Sequence, residues 1–242
     1  MLENIRVVLV EPSHPGNIGG ACRALKTMGL SELWVVNPER YPDPQAQWRA
    51  AGAQDVLDNV RVCDTVDEAI ADCHWIVGTS TRSRRIPWPI GDVSEVTANI
   101  LKQPSNSQVV ILFGRETNGL SNEELQRCHQ HLQIPANPEY PSLNLAMAVQ
   151  VVCYELHRQA EGRAPVEAVW DRAPAPAEQT EAMLVSLEAL LERVDFLDPK
   201  NPGKAMIRLR RLFTRVEPDE TEVQMLRGIV KQLTVALDKG ER

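Results

Sequence analysis

No apolar run in the chain approaches the ~18 to 20 residues that a helix needs to cross a bilayer. The first residues lead straight into a β-branched run without the charged and apolar zones of a secretory leader. A cytoplasmic location is therefore the expectation. The five cysteines, at positions 22, 63, 73, 128 and 153, are odd in number, scattered and free of any C-x-x-C pair. Neither a disulfide framework nor a zinc site is suggested, and they read as reduced thiols packed like small apolar side chains. His129 and His131, beside Cys128, read as solvated or hydrogen-bonded side chains at a helix-to-strand junction, so no metal is expected. A surplus of positive charge is also missing: the net charge is −7, which at first sight argues against a nucleic-acid partner.

What is present is an ordinary globular balance, 43% apolar and 24% charged residues in a chain of 242. That rules out disorder of the whole and leaves room for one large domain or one with a small appendage. The charge is unevenly spread. Residues 163–242 hold 13 of the 26 Lys and Arg but 14 of the 33 Asp and Glu, so half the cations sit in the last third. There, residues 204–215 (KAMIRLRRLFTR) contain five basic residues and no acidic one.

Strand-like and helix-like patterns alternate through the first two thirds. Residues 5–10 form a β-branched run closed by Glu11 and Pro12, and further strands are expected over 33–36, 60–62, 75–77, 109–113 and 132–135. Helices are expected over 19–28, after the capping pair Thr65 and Glu68 through Ala71, after Ser121 and Glu124 to about Cys128, and over 144–159. Such alternation implies an α/β fold, a parallel sheet covered on both faces by helices. Residues 163–177, with Pro165, Pro174 and Pro176, read as a linker between a first domain over 1–162 and an all-helical domain over 178–242. In that second domain Met183, Leu184, Leu187, Leu190, Leu191 and Val194 make one apolar stripe. Val223, Leu226, Ile229, Val230 and Leu233 make another.

Three segments far apart read as parts of one site: residues 11–23 (EPSHPGNIGGACR), 109–120 (VVILFGRETNGL) and 134–145 (IPANPEYPSLNL). Each carries the chain out of a strand pattern, and the carboxyl edge of an open α/β sheet is where ligands bind. Taken alone, Gly16, Gly19 and Gly20 with Glu39 loosely imitate a dinucleotide-binding turn. Their spacing, G-x-x-G-G, departs from G-x-G-x-x-G. A dinucleotide-dependent oxidoreductase is thus one alternative. A non-catalytic RNA-binding dimer is another.

The joint occurrence in this order resembles the SPOUT methyltransferases, and within them the TrmH-like RNA ribose 2′-O-methyltransferases. The residues that carry the resemblance are 17–23 (NIGGACR), 112–120 (LFGRETNGL), and Ile134 and Pro135 with 142–149 (SLNLAMAV). The length, the helical extension after Pro176 and residues 201–215 look closest to members that methylate nucleotide 32 of the tRNA anticodon loop. Methylation at another tRNA or rRNA site is the runner-up. The resemblance implies S-adenosylmethionine as cofactor, a trefoil knot at the end of the first domain, and a homodimer with sites at the interface. It also implies cofactor contacts from Thr79, Ser80, Thr81, Gly114, Glu116, Ile134, Ser142, Leu143 and Asn144. Catalytic roles would fall to Arg23, Asn17 and Ser142. Arg82, Arg84 and Arg85 with Trp88 combine phosphate-binding charge and a stacking surface. Arg208, Arg210, Arg211 and Arg215 suggest a grip on the tRNA backbone. His14 lies within the first motif, where contact with substrate is a minor expectation.

Overall fold

The computed structural model describes residues 2–80, 88–161, 174–200 and 203–240, which divide into two compact units, 1–169 and 170–242. In the first unit the chain runs β1 (Ile5–Val10), α1 (Pro15–Thr27), β2 (Glu32–Val36), α2 (Pro44–Ala50), α3 (Gln54–Asp58), β3 (Arg61–Cys63), α4 (Val66–Ile70) and β4 (Trp75–Thr79). It continues through β5 (Ile90–Asp92), α5 (Val93–Ile100), β6 (Val109–Phe113), α6 (Asn122–Gln126), β7 (Gln130–Gln133) and α7 (Leu145–Ala160). The strands form one seven-stranded sheet in the order β3-β2-β1-β6-β4-β7-β5, with every neighbouring pair parallel. Helices cover both faces, so β1 and β6 are buried along their whole length. This is why β6 reads as an unbroken apolar run and β1 as one interrupted only by Arg6.

The one charged residue inside β1 is Arg6, only 3% exposed. Its guanidinium is bonded to Glu32 (2.8 Å), to both carboxylate oxygens of Asp72 (2.7 and 2.9 Å) and to the Ala69 carbonyl (2.8 Å). It also lies 4.1 Å from the centre of the Trp34 ring. A buried cation persists only when so completely partnered.

Strand order decides where a site can form. After β1 the chain moves to β2 on one side, and after β6 it moves by way of α6 to β7 on the other. The connections leaving these adjacent strands diverge, and in open α/β sheets such a switch point opens the ligand crevice. The loops there are the first and second motifs.

Helix α1 begins at Pro15, four residues before the position expected from the pattern. His14 is its N-cap, the imidazole Nδ1 accepting from the Gly16 amide at 3.1 Å, and Pro15 supplies the first helical φ. The glycines of the first motif therefore lie inside a helix and form no dinucleotide turn. Their role is close packing. A Cβ on Gly19 would meet the Ala46 carbonyl oxygen of α2 at 2.0 Å, and one on Gly20 would meet Ala146 Cβ of α7 at 2.8 Å. Helices α2, α3 and α5 and strand β5 were not expected; α2 and α5 open on Asp43 and Asp92, whose side chains accept from the Gln45 and Glu95 amides at 2.8 Å.

The second unit holds α8 (Ala177–Arg193), α9 (Ala205–Val216) and α10 (Glu220–Gly240). Helices α8 and α10 run parallel, joined near their starts by Gln179 and Glu220 (3.1 Å) and near their ends by Arg193 and Asp238 (2.8 Å). Of the expected linker, residues 163–173 lie outside the described residues. Pro174 and Ala175 belong to the helical unit, paired with Asp219 and Pro218. The α10 stripe is corrected in part: Val223 and Val230 are buried, but Ile229 and Leu233 are about half exposed. They occupy the arc of the helix beside the one that α8 covers. Val194, expected in the α8 stripe, is also exposed.

Gly19→Ala should force α1 away from α2 and lower stability by about 1–3 kcal/mol, the usual cost of overpacking. Chemical denaturation measures this directly, and an unchanged midpoint would show that the helices separate without cost.

Candidate active site

The loops leaving β1, β6 and β7 meet through one chain of side-chain hydrogen bonds. The carboxylate of Glu116, three residues beyond the end of β6, accepts from the backbone amides of Ser13 (3.1 Å) and His14 (3.3 Å) and from Asn17 Nδ2 (2.7 Å). Asn17, buried in the first turn of α1, accepts through Oδ1 from Asn144 Nδ2 at 2.9 Å. Asn144 in turn caps α7, its Oδ1 accepting from the amides of Ala146 (3.0 Å) and Met147 (3.4 Å). The two asparagine amides each donate and accept, so one residue from each motif is tied to the next. Burial alone would raise the Glu116 pKa. The Ser13 amide and the Asn17 side chain outweigh that and hold the carboxyl below its ordinary value.

The β6 exit is shaped by its glycines. A Cβ on Gly114 would lie 2.1 Å from the Gly119 carbonyl carbon and 2.2 Å from the Leu120 nitrogen, and Gly119 has φ +67°. The backbone of Arg115 bridges that of Gly119, closing a tight turn that aims Glu116 toward β1. Thr79 Oγ1, at the end of β4, donates to the Leu112 carbonyl (3.0 Å), and the Ser80 amide donates to the Leu132 carbonyl (2.9 Å). These bonds draw the β4 exit against β6 and β7. Ile134 is partly buried where β7 ends, and the chain from there to Asn144 forms no regular element.

The structure thus gathers Asn17, Thr79, Ser80, Gly114, Glu116, Ile134 and Asn144 at one sheet edge. Ser142 and Leu143, just before α7, are exposed. Arg23 stands exposed on α1, one turn beyond the Gly20 contact with α7, and has no ion-pair partner among the described residues. His14 is accounted for as an N-cap. Thr81, Arg82, Arg84 and Arg85 lie outside the described residues.

Trp88 corrects one expectation. It is 8% exposed, stacked on His131 with ring centres 5.8 Å apart, and its Nε1 donates to the Cys128 carbonyl at 2.7 Å. A ring so enclosed offers no stacking surface to RNA. In the helical unit Arg208 and Arg215 are exposed and Arg211 is partly buried, while Arg210 is bound to the carboxylate of Glu181. The partnership of Arg115 with Glu11 and Glu124 has no signal in the sequence; its bonds to Glu11 measure 2.6 and 2.8 Å. Among the described residues no group of three or more His, Cys, Asp or Glu could hold a metal ion.

Residues 4–154 match the SpoU rRNA Methylase family, and residues 178–242 match the C-terminal domain of the tRNA methyltransferase TrmJ. The chain belongs to the SpoU rRNA methylase family. It is 49% identical over 239 residues to the tRNA (cytidine/uridine-2′-O-)-methyltransferase TrmJ of Escherichia coli O6:K15:H31, an alignment covering 96% of each chain. Among solved structures, TrmJ from Z. mobilis ZM4 superposes with a TM-score of 0.83 at 35% identity, covering 95% of this chain and 98% of that one. The SpoU methyltransferase AviRb from Streptomyces viridochromogenes, solved with the cofactor AdoMet, superposes with a TM-score of 0.52 at 25% identity, covering 65% and 61%. Within this SpoU chain, the three loops joined by Glu116, Asn17 and Asn144 all lie inside the segment that matches the family.

Because the native Glu116 pKa is depressed, its contribution to stability is full above the unfolded value of about 4.5 and fades as pH falls through the native value. Glu116→Gln should therefore be less stable than wild type at pH 7, with the gap closing on acidification below about 4.5. Denaturation midpoints across that range measure it, and a gap independent of pH would contradict the ionised acceptor role.

Proposed function

We propose that this chain transfers a methyl group from S-adenosylmethionine to the ribose 2′-hydroxyl of cytidine or uridine at nucleotide 32 of tRNA, as a cytoplasmic homodimer. The observation that carries the reading is the Glu116–Asn17–Asn144 chain at the sheet's switch point, in a protein 49% identical along its length to a tRNA (cytidine/uridine-2′-O-)-methyltransferase. Nucleotide 32 and the trefoil knot follow from the family resemblance. Among the described residues no helix is long and apolar enough to cross a membrane.

The loops are chemically suited to the cofactor. Ile134 and the exposed Leu143 offer apolar surface for a purine, and the irregular backbone between Ile134 and Asn144 offers amides and carbonyls to its polar edges. Thr79, Ser80, Thr81, Gly114, Glu116, Ile134, Ser142, Leu143 and Asn144 would hold it. When bound, it supplies an electrophilic methyl on a positively charged sulfur.

Displacement at that methyl requires the ribose oxygen to lie in line with the breaking bond and to shed its proton, so positioning dominates the chemistry. Arg23 is a donor only, since a guanidinium carries five N–H groups and no acceptor. It clamps the adjacent phosphate and stabilises charge developing on the 2′-oxygen. Asn17 fixes the loop that carries substrate, and Ser142 lies exposed two residues before Asn144.

The dimer reading draws on α7, where Met147 is 62% and Tyr154 52% exposed and, seven residues apart, stand on one face. A partner covering that face would meet the segment leading into α7 and so sit at the site. The domain assignment is part of the same reading: 1–162 for methyl transfer, 163–177 as linker, 178–242 for tRNA. Arg208, Arg211 and Arg215 provide the cations there, with Arg82, Arg84 and Arg85 in the first domain.

Incubation with tRNA and radiolabelled methyl donor should place alkali-stable label at one ribose, that of nucleotide 32. Binding of tRNA without label transfer would overturn the assignment. Arg23→Ala should lower turnover by about two to three orders of magnitude, as loss of a charge-stabilising donor does, with donor affinity unchanged within a few fold. Equal loss of both would remove the role given to Arg23. A chain ending near Pro176 should remain a folded dimer with weakened tRNA binding. Undiminished tRNA affinity in that fragment would remove the helical domain from the reading.

A further inference from the structure

The guanidinium of Arg115 is unusual in having every donor used. Nε and Nη2 donate to the two oxygens of Glu11 (2.8 and 2.6 Å), Nη1 and Nη2 donate to those of Glu124 (both 3.0 Å), and Nη1 also reaches the Gly119 carbonyl (3.4 Å). Those five contacts match the five N–H groups of an arginine. Nothing remains for an RNA phosphate. Such a fork is geometrically demanding, and lysine cannot reproduce it.

Its partners mark where the effect is felt. Glu11 is the first residue after β1, with φ +46° and its amide donating to Val36 O at 2.8 Å. Glu124 completes the capping box of α6, accepting from the Ser121 amide at 2.6 Å while its own amide donates to Ser121 Oγ at 3.2 Å. Arg115 therefore joins the exits of β1 and β6 to the start of α6. Its neighbour Glu116 reaches back to Ser13, His14 and Asn17. The two loops are clasped twice: a carboxylate of the β1 loop meets a cation of the β6 loop, and a carboxylate of the β6 loop meets amides of the β1 loop.

We propose that Arg115 is a positioning residue for methyl transfer, acting through Glu11 and Glu124 to fix the spacing at which Glu116 meets Asn17. Without the guanidinium, the Glu11 and Glu124 carboxylates would face each other unpaired and push the loops apart. This inference rests on the methyl-transfer reading of the three-loop site.

Steady-state methylation of tRNA by the full chain tests it, using wild type, Arg115→Met, Arg115→Lys, Glu11→Gln and the double variant Glu11→Gln/Arg115→Met, each checked for its thermal midpoint. Arg115→Met should lower kcat at least tenfold with KM for tRNA within about twofold, and Arg115→Lys should recover only a small part. The double variant should be no slower than Arg115→Met alone, because Glu11 acts through Arg115. A kcat within twofold of wild type in Arg115→Met, a KM for tRNA that rises in step with the loss, or losses that multiply in the double variant would each overturn the proposal. If Arg115→Met does not fold, Arg115→Lys and Glu11→Gln carry the test on the same criteria. Wild type inactive on tRNA would instead overturn the reading beneath it.

Discussion

Three loops that the sheet would otherwise leave as independent turns are held in one arrangement by a carboxylate and two carboxamides. Glu116 takes three donors, Asn17 passes the contact on, and Asn144 delivers it to the first turn of α7. Each member has its partners through long-range contacts, 99 residues apart for Glu116 and Asn17 and 127 for Asn17 and Asn144. The chain therefore exists only in the folded protein. Loops are ordinarily the most mobile parts of an α/β domain, and a reaction that depends on in-line geometry needs them fixed.

The rest of the first unit supports that arrangement. Burial on both faces places β1 and β6 side by side at the centre of the sheet, and their diverging connections open the crevice. Gly19 and Gly20 let α1 seat against both α2 and α7, which sets Asn17 near Asn144. At the opposite, amino end of the strands, Arg6 with Glu32 and Asp72 closes the sheet around a buried charge. Gln108 adds a bond to Glu32 at 2.8 Å, so that end too is a connected network. The sheet is locked at the end where nothing need bind and shaped by backbone turns at the end that carries the motifs.

Strands buried on both faces announce themselves, and residues 5–10 and 109–113 were read with the boundaries they have. The motif loops were legible because Gly, Pro and Asn cluster where strands end. Short elements were not: β5 has three residues, and α2 and α3 carry too few apolar positions to show a period. The start of α1 was missed because Pro15 and Gly16 read as loop, although proline is at ease in a first turn. Trp88 was misplaced since an aromatic beside three arginines looks like a binding surface, and only the fold reveals its stack on His131. The work of Arg115 was beyond reach for the same reason, its partner Glu11 standing 104 residues earlier. Spacing along the chain predicts local contacts, whereas the contacts that build this site are almost all distant.

The most direct test of the account is whether the three loops act as one unit in catalysis. Rates of methyl transfer to tRNA can be compared for Glu116→Gln, Asn144→Ala and the two combined, all at saturating donor. If the hydrogen-bonded chain through Asn17 is the constraint on which the site depends, breaking it at either end suffices, and the combined variant will be about as slow as the slower single one. Losses that multiply would show that the two residues work independently, and the account would be wrong at its centre.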